Sequence, residues 1–166
     1  MLCGCSTAPQ SDLSRQELKD EAAAAVKQAE KTDTTMDKAL SEAKGYAVFP
    51  TVGKGAIGIG GAYGRGVLYE GGSITGYCDL SQATIGLQLG GQAYTEIICF
   101  QDDVALQTFK TGNFAFAAEA TAVALKSGAG ANAKYANGIK VFTFGESGLM
   151  YEASIGGQKF SFLPAK

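Results

Sequence analysis

The spacing of apolar residues changes near residue 45, from a helical period to a period of two. Within residues 11–31 the apolar positions form one narrow stripe, which consists of Leu18, Ala22, Ala25, Val26 and Ala29. A second helix is predicted from residue 33 or 34 to residue 44, and Gly45 is expected to end it as a left-handed cap. The pattern therefore predicts two N-terminal helices followed by a sheet.

Short segments with a period of two continue to the C-terminus and favour strands. These segments are residues 46–49, 55–62, 66–69, 73–78, 83–89, 93–100, 139–144, 149–154 and 160–162. Gly71-Gly72 and Gly90-Gly91 are the expected hairpin turns. Asp102 or Asp103 is expected to cap a short helix that runs to residue 109, and residues 127–137 are expected to form a loop.

Residues 46–91 hold 13 of the 23 glycines of the chain, interleaved with branched and aromatic apolar residues. A flexible linker would carry serine, proline and charge instead. Glycine weakens a strand, so its density here favours strands that bend sharply or lie very close to another backbone. We therefore expect an α+β fold, in which an antiparallel, glycine-rich, strongly curved, barrel-like sheet carries the N-terminal helices.

Two segments of this run carry a family resemblance. FPTVGKGAIGIGGAYGRGVLYEGG at residues 49–72 and ITGYCDLSQATIGLQLGGQAY at residues 74–94 closely resemble the SYLF family. That family is the lipid-binding domain found in yeast and animal actin-patch proteins and in bacterial lipoproteins, and the resemblance runs from about Glu42 to the C-terminus. It implies a single domain over residues 11–166. It also favours a strand within residues 113–125, where the alanine content alone would favour a helix.

The first seven residues, MLCGCST, look like the end of a bacterial lipoprotein signal. In such signals a leucine lies three residues before the lipid-modified cysteine, and a small residue lies directly before it, as Leu2 and Gly4 do relative to Cys5. Cys5 is therefore the expected lipid-attachment residue, after a truncated signal, and residues 1–10 would form a tether. The expected location is the periplasmic side of a bacterial outer membrane. The alternative is an accidental Cys-Gly-Cys in a terminal tail.

Composition narrows the classes of function. The formal net charge of −2 and the sequence pI near 5.2 argue against nucleic-acid binding. The chain has no histidine, which removes the usual catalytic triads and the commonest metal ligand. The residues from Gly53 to Gly58 match a dinucleotide-binding fingerprint, but a strand is predicted after them where that motif requires a helix. We expect no enzymatic activity, no metal and no cofactor.

Four basic residues are the candidates for contact with a lipid head group. Lys54 and Arg65 flank the glycine-rich segment, where bare backbone N–H groups can approach an anion. Lys44 precedes the sheet and Lys140 lies in a later strand, and the four could converge on a phosphate. The alternative is that they are ordinary solvated residues. Residues 11–31 mix basic and acidic side chains in near balance, which departs from the basic N-terminal helix associated with phosphoinositide binding in eukaryotic SYLF proteins.

Cys78 and Cys99 are expected to be buried free thiols, since a predicted strand separates them. The alternative is a disulfide bond between them. The leading functional hypothesis is a non-enzymatic module that binds phospholipids, of a phosphoinositide type or another anionic type. The alternative is a structural or protein-interaction component of the cell envelope, with Phe114, Phe116, Tyr135 and Tyr151 as a partner surface. Actin is not an expected partner behind a bacterial lipoprotein terminus.

Overall fold

The computed structural model describes residues 12–54, 62–82, 93–116, 121–145, 152–154 and 157–165. The helices are α1 (Asp12–Thr32), α2 (Met36–Glu42) and α3 (Asp103–Lys110). The strands are β1 (Gly45–Lys54), β2 (Ala62–Glu70), β3 (Ser73–Gln82), β4 (Tyr94–Phe100), β5 (Thr121–Ala124), β6 (Ile139–Gly145), β7 (Glu152–Ser154) and β8 (Gln158–Pro164). The helices-then-sheet order and the α+β class are confirmed.

Several predicted features lie outside the described residues. They are the tether at residues 1–10 with Cys5, most of the predicted strand 55–62, the predicted strand 83–89, the Gly90-Gly91 turn and the first part of the predicted strand 149–154. Residues 117–120 also fall outside, so the predicted strand within residues 113–125 is confirmed only for β5. The predicted loop at residues 127–137 contains one short 3-10 turn, Ala129–Asn132.

The described strands form one open, mostly antiparallel sheet in the order β7-β5-β6-β4-β1-β2-β3-β8. The strands β1, β2 and β3 form a meander, after which β4 returns to pair with the free side of β1. The pair β5 and β6 is parallel. Because β7 and β8 are separate edges in this order, closure of a barrel is not confirmed.

The turn between β2 and β3 shows how the local sequence fixes the register. Gly71 and Gly72 have φ values of 59° and 82°. Both residues therefore lie in the left-handed region that a two-residue type I′ turn requires, and glycine adopts it without steric cost. This predicted hairpin is confirmed. Gly45, in contrast, is the first residue of β1 and has no positive φ, so its prediction as a helix cap was wrong.

Apolar side chains cover both faces of the sheet. On the helix face, Val48, Val67, Ile97 and Phe142 pack against Leu18, Ala22, Ala29 and Met36 of α1 and α2. On the opposite face, here called the inner face, Phe49, Leu68, Leu80, Ile98 and Phe160 pack against Leu106 and Phe109 of α3. Asp102 caps α3, since its side chain accepts a hydrogen bond from the backbone N–H of Ala105 at 2.9 Å.

The inner face is concave. The strands β4 and β8 lie four places apart, about 19 Å in a flat sheet. Yet Gln158 of β8 donates a hydrogen bond of 3.0 Å to Glu96 of β4. Two extended side chains cannot span the flat distance, so the sheet bends toward this face. Glycine permits close contact beneath the bend, because a Cβ on Gly66 would lie 2.7 Å from the Phe49 ring.

Two further expectations have a clear outcome. Cys78 and Cys99 are free and buried, as predicted, and they lie on opposite faces of the sheet with β1 and β2 between their strands. Of the proposed aromatic partner surface, Phe116 is buried in the inner-face core and Phe114 packs against it, while Tyr135 is half-buried, so a partner role for these residues stays a prediction. Tyr151 lies outside the described residues. None of the described helices is both long and apolar enough to cross a membrane.

Candidate functional site

A surface groove separates α1 from one end of the sheet. Its volume is about 620 Å³, which falls in the range of small-molecule sites. The lining residues are Glu21, Ala24, Ala25, Gln28, Pro50, Thr51, Ala93, Tyr94, Thr95, Phe144 and Gly145. Because apolar and polar side chains both contribute, the groove suits an amphipathic ligand.

The small side chains of α1 create this groove. The helix packs on the sheet through Leu18, Ala22, Ala25 and Ala29, which recur at helical spacing as the sequence predicts. Three of these four residues are alanines and fill little space between the helix and the strands. The neighbouring Ala24 is exposed and lines the groove. The alanine stripe thus supports the helix without filling the space beside it.

A buried polar cluster lies on the inner face, at the same end of the sheet. This Glu96 cluster consists of Gln82, Tyr94, Glu96, Thr143 and Gln158, all buried. The amide nitrogen of Gln158 donates to Glu96 Oε1 at 3.0 Å and to the Tyr94 hydroxyl at 3.2 Å. The Tyr94 hydroxyl in turn donates weakly to Glu96 Oε1 at 3.4 Å. Thr143 is the direct cross-strand partner of Glu96.

Three oxygen atoms of this cluster have no hydrogen-bond partner among the residues that the structure describes. They are Glu96 Oε2, Thr143 Oγ1 and Gln158 Oε1, and each is fully buried. A buried polar atom without a partner costs about 1–3 kcal/mol. Native cores contain few such atoms, so three in one cluster set this place apart from the rest of the described core.

Burial dominates the electrostatics of Glu96. It raises the pKa of this carboxyl from the ordinary value of 4.5 to about 7, although the hydrogen bonds from Gln158 and Tyr94 act in the opposite direction. The pKa of Tyr94 is raised as well, by burial and by the nearby carboxylate. Burial likewise raises the pKa of both Cys78 and Cys99, which keeps these thiols protonated and unreactive.

The four predicted basic residues do not converge. Lys54 and Arg65 belong to the end of the sheet that carries the groove, since Arg65 pairs with Thr51 and Lys54 follows on the same strand. Lys44 lies at the other end, and β1 separates the two ends by about 30 Å. A single phosphate-binding cluster of all four residues was therefore a wrong prediction, although a head-group role for either pair stays a prediction.

Three of these cations have described surroundings. The ammonium of Lys44 lies 3.6 Å from an Asp103 carboxylate oxygen, and that of Lys140 lies 4.3 Å from the centre of the Tyr135 ring. Arg65 is exposed and shares a small cavity of about 310 Å³ with Glu17 and Glu21 of α1. Within the described residues, no group of three or more histidine, cysteine or acidic side chains could hold a metal.

Sequence reasoning missed the Glu96 cluster. The available signal was the strand alternation, because Gln82 follows Cys78 and Leu80 on the inner face and Gln158 precedes Phe160 there. A polar residue at an inward position of an apolar strand is a candidate for function. The pairing of β8 with β3, which brings Gln158 beside Gln82, could not be read from the alternation alone.

Comparison with known proteins gives two matches. A family model described as "Ysc84: Las17-binding protein actin regulator" matches residues 81–162. Beta cell expansion factor A of Aeromonas veronii is 32% identical over 124 residues, which are 73% of this chain and 46% of that protein. The chain thus spans about half the length of this relative. The region that the family model matches contains all five residues of the Glu96 cluster.

The raised pKa of Glu96 predicts a pH-dependent stability. The folded protein holds the Glu96 proton more tightly than the unfolded chain does. The stabilisation that this proton gives to the folded state is therefore complete below pH 4.5 and is lost as the pH rises to about 7. The pKa shift corresponds to a loss of roughly 3 kcal/mol in the free energy of unfolding between low and high pH. Glu96→Gln should remove this loss, because the amide stays neutral. Urea unfolding of both proteins at pH 5 and pH 8 would measure the difference.

The matched control is Glu42→Gln, which removes the same charge from the exposed surface of α2. This variant should keep the wild-type pH dependence. Equal pH dependence in the wild-type protein and in Glu96→Gln would contradict the assignment.

Proposed function

Because the chain belongs to the SYLF family, we propose that it is a non-enzymatic domain that binds phospholipids. The proposal rests mainly on the groove of about 620 Å³ between α1 and the end of the sheet, because its lining of polar and apolar residues suits an amphipathic molecule. The absence of histidine from the chain supports the non-enzymatic part of the proposal. Co-sedimentation with vesicles of neutral and of anionic phospholipids tests it, and no pelleting with any composition would reject it.

The head-group end of the proposed ligand lies near Lys54 and Arg65. Thr51 lines the groove and pairs with Arg65, and Lys54 ends the same strand, so these two residues belong to the end of the sheet where the groove opens. Lys44 and Lys140 belong to the other end, and each already has a described partner. The proposal therefore keeps the first pair as head-group contacts and assigns the second pair to the structure of the domain.

We further propose that Cys5 carries a lipid anchor that holds the domain on the periplasmic side of a bacterial outer membrane. The Leu2-Cys3-Gly4-Cys5 spacing supports this proposal. An anchor of two or more acyl chains gives stable membrane attachment, whereas one chain does not. The domain would then need only modest intrinsic affinity for lipid, because the tether keeps the local concentration of membrane high.

The groove can be tested by filling it. Ala24→Gln places a longer side chain in the groove, while the helix propensity stays favourable. We expect this variant to bind vesicles severalfold more weakly than the wild-type protein in co-sedimentation. Ala23→Gln is the matched control, since Ala23 is equally exposed on α1 but does not line the groove. Equal weakening in both variants would show that the groove is not the site.

The two basic pairs can be compared directly. Each basic residue near an anionic surface contributes about 1 kcal/mol, so Lys54→Ala with Arg65→Ala should weaken binding to anionic vesicles by at most about thirtyfold. Glu17 and Glu21 beside Arg65 reduce the expected loss. Lys44→Ala with Lys140→Ala removes the same charge at the other end of the sheet and should leave binding unchanged. The opposite ranking would move the head-group site to that end.

The anchor predicts covalent lipid on one cysteine. When the protein is expressed in a bacterium behind a complete lipoprotein signal and labelled with radioactive palmitate, the label should be lost in Cys5→Ser and kept in Cys3→Ser. The protein should then also leave the membrane fraction only in the first variant. Label that persists in Cys5→Ser would reject the proposed attachment residue.

A further inference from the structure

The unpartnered atoms of the Glu96 cluster have a common chemistry. Glu96 Oε2 and Gln158 Oε1 only accept hydrogen bonds when the carboxyl is ionised, and Thr143 Oγ1 can also accept. The Gln158 orientation follows from its nitrogen, which donates to both Glu96 Oε1 and the Tyr94 hydroxyl. The missing group must therefore be a donor with at least two, and up to three, polar hydrogens.

The charge of the cluster identifies this donor more closely. Thr143 of the neighbouring strand β6 and Tyr94 of its own strand lie beside Glu96, and Gln158 of β8 and Gln82 of β3 approach from across the inner face. None of these four side chains is basic, and only tyrosine titrates. An ionised Glu96 therefore needs a positive charge from a group beyond these four side chains, because a buried unpaired charge is strongly unfavourable.

A primary ammonium meets both requirements, since it carries one positive charge and three N–H donors for three oxygen acceptors. We propose that the Glu96 cluster binds the primary ammonium of a phospholipid head group of the phosphatidylethanolamine class. This inference rests on the proposed lipid-binding function and adds the head group. A water molecule would bring donors without charge, and a quaternary ammonium would bring charge without donors.

The position of the cluster links it to the groove. Tyr94 and Gln158 are the first residues of β4 and β8, and Gln82 is the last residue of β3, so the cluster lies at one end of the inner face. Tyr94 also lines the groove beside α1. The groove lies on the helix face and the cluster on the inner face of the same end of the sheet, so a phospholipid whose body lies in the groove would reach the cluster with its head group around this end, beside Tyr94.

Phosphatidylethanolamine and phosphatidylcholine differ at this site only by three methyl groups on nitrogen, which remove all three donors. Vesicles of pure phosphatidylcholine are therefore compared with vesicles of equal parts phosphatidylcholine and phosphatidylethanolamine at pH 8. The wild-type protein should bind the mixed vesicles about tenfold more tightly, as expected for one hydrogen-bonded charge pair. Titration with soluble ethanolamine as a competitor distinguishes a free amine from a lipid-borne one.

Two variants locate the preference. Glu96→Gln should bind both vesicles equally, because it keeps the shape of the side chain and removes its charge. Thr143→Val removes one acceptor at constant volume and should reduce the preference severalfold. Glu42→Gln, on the exposed surface of α2, should keep it in full. The preference should also fall as the pH drops below about 7 in the wild-type protein, because protonation neutralises Glu96.

Each outcome decides between the two proposals. Binding to phosphatidylcholine with no preference for phosphatidylethanolamine would overturn the head-group inference and leave the lipid-binding function intact. A preference that survives in Glu96→Gln would also overturn it, since membrane packing would then be the cause. No binding to any vesicle would overturn both. Competition by ethanolamine at the concentration expected for the lipid would show that a free amine is the ligand.

A lysine of the chain itself could also supply the ammonium. Lys54 shares a cross-strand row with Ala62, Gln82 and Gln158, and Lys54→Met tests this possibility. If the wild-type protein showed no preference and Lys54→Met gained one, Lys54 would be the partner of Glu96 and the external ligand would be excluded.

Discussion

The bend of the sheet toward its inner face is the constraint on which the remaining structure depends. The hydrogen bond from Gln158 to Glu96 joins residues that are 62 positions apart in the chain and four strands apart in the sheet. Large aromatic side chains meet on the concave side of this bend, where the ring centre of Phe160 lies 5.9 Å from that of Phe49 and 5.3 Å from that of Phe109. Their packing holds the strands in the bent form, and the polar side chains meet only at the end of this interior.

Stability alone does not account for the polar residues of the Glu96 cluster at the end of the inner face. Three unpartnered buried oxygens cost several kcal/mol together, and a fourth cost arises from desolvation of the Glu96 carboxylate. Replacing such polar groups with well-packed apolar residues often leaves a protein equally or more stable. The rest of the inner face is filled in that apolar way by Leu68, Leu80 and Ile98. The Glu96 cluster therefore departs from the local rule at one place, as functional sites commonly do.

Sequence patterns predicted those features that depend on near neighbours. The helix α1, the Gly71-Gly72 turn and the Asp102 cap follow from spacing, positive φ and side-chain capping within a few residues. The strand order could not be predicted, because β4 pairs with β1 rather than with its predecessor, and this pairing buries Glu96. For the same reason Lys44 and Lys54, which lie ten residues apart, belong to opposite ends of one long strand. The groove also needs tertiary structure, since α1 meets residues from three strands.

The charge balance of the domain bears on the proposed recognition of a membrane. A protein with a formal net charge of −2, and with acidic and basic residues mixed along α1, has little long-range attraction to an anionic surface. Recognition that depends on a few short-range contacts fits such a domain better than recognition by a basic surface. In the proposed complex a zwitterionic head group pairs its ammonium with one buried carboxylate, and its phosphate lies at the end of the sheet that carries Lys54 and Arg65. This arrangement needs no net charge on the protein, and a lipid tether would supply the encounter that electrostatic attraction does not.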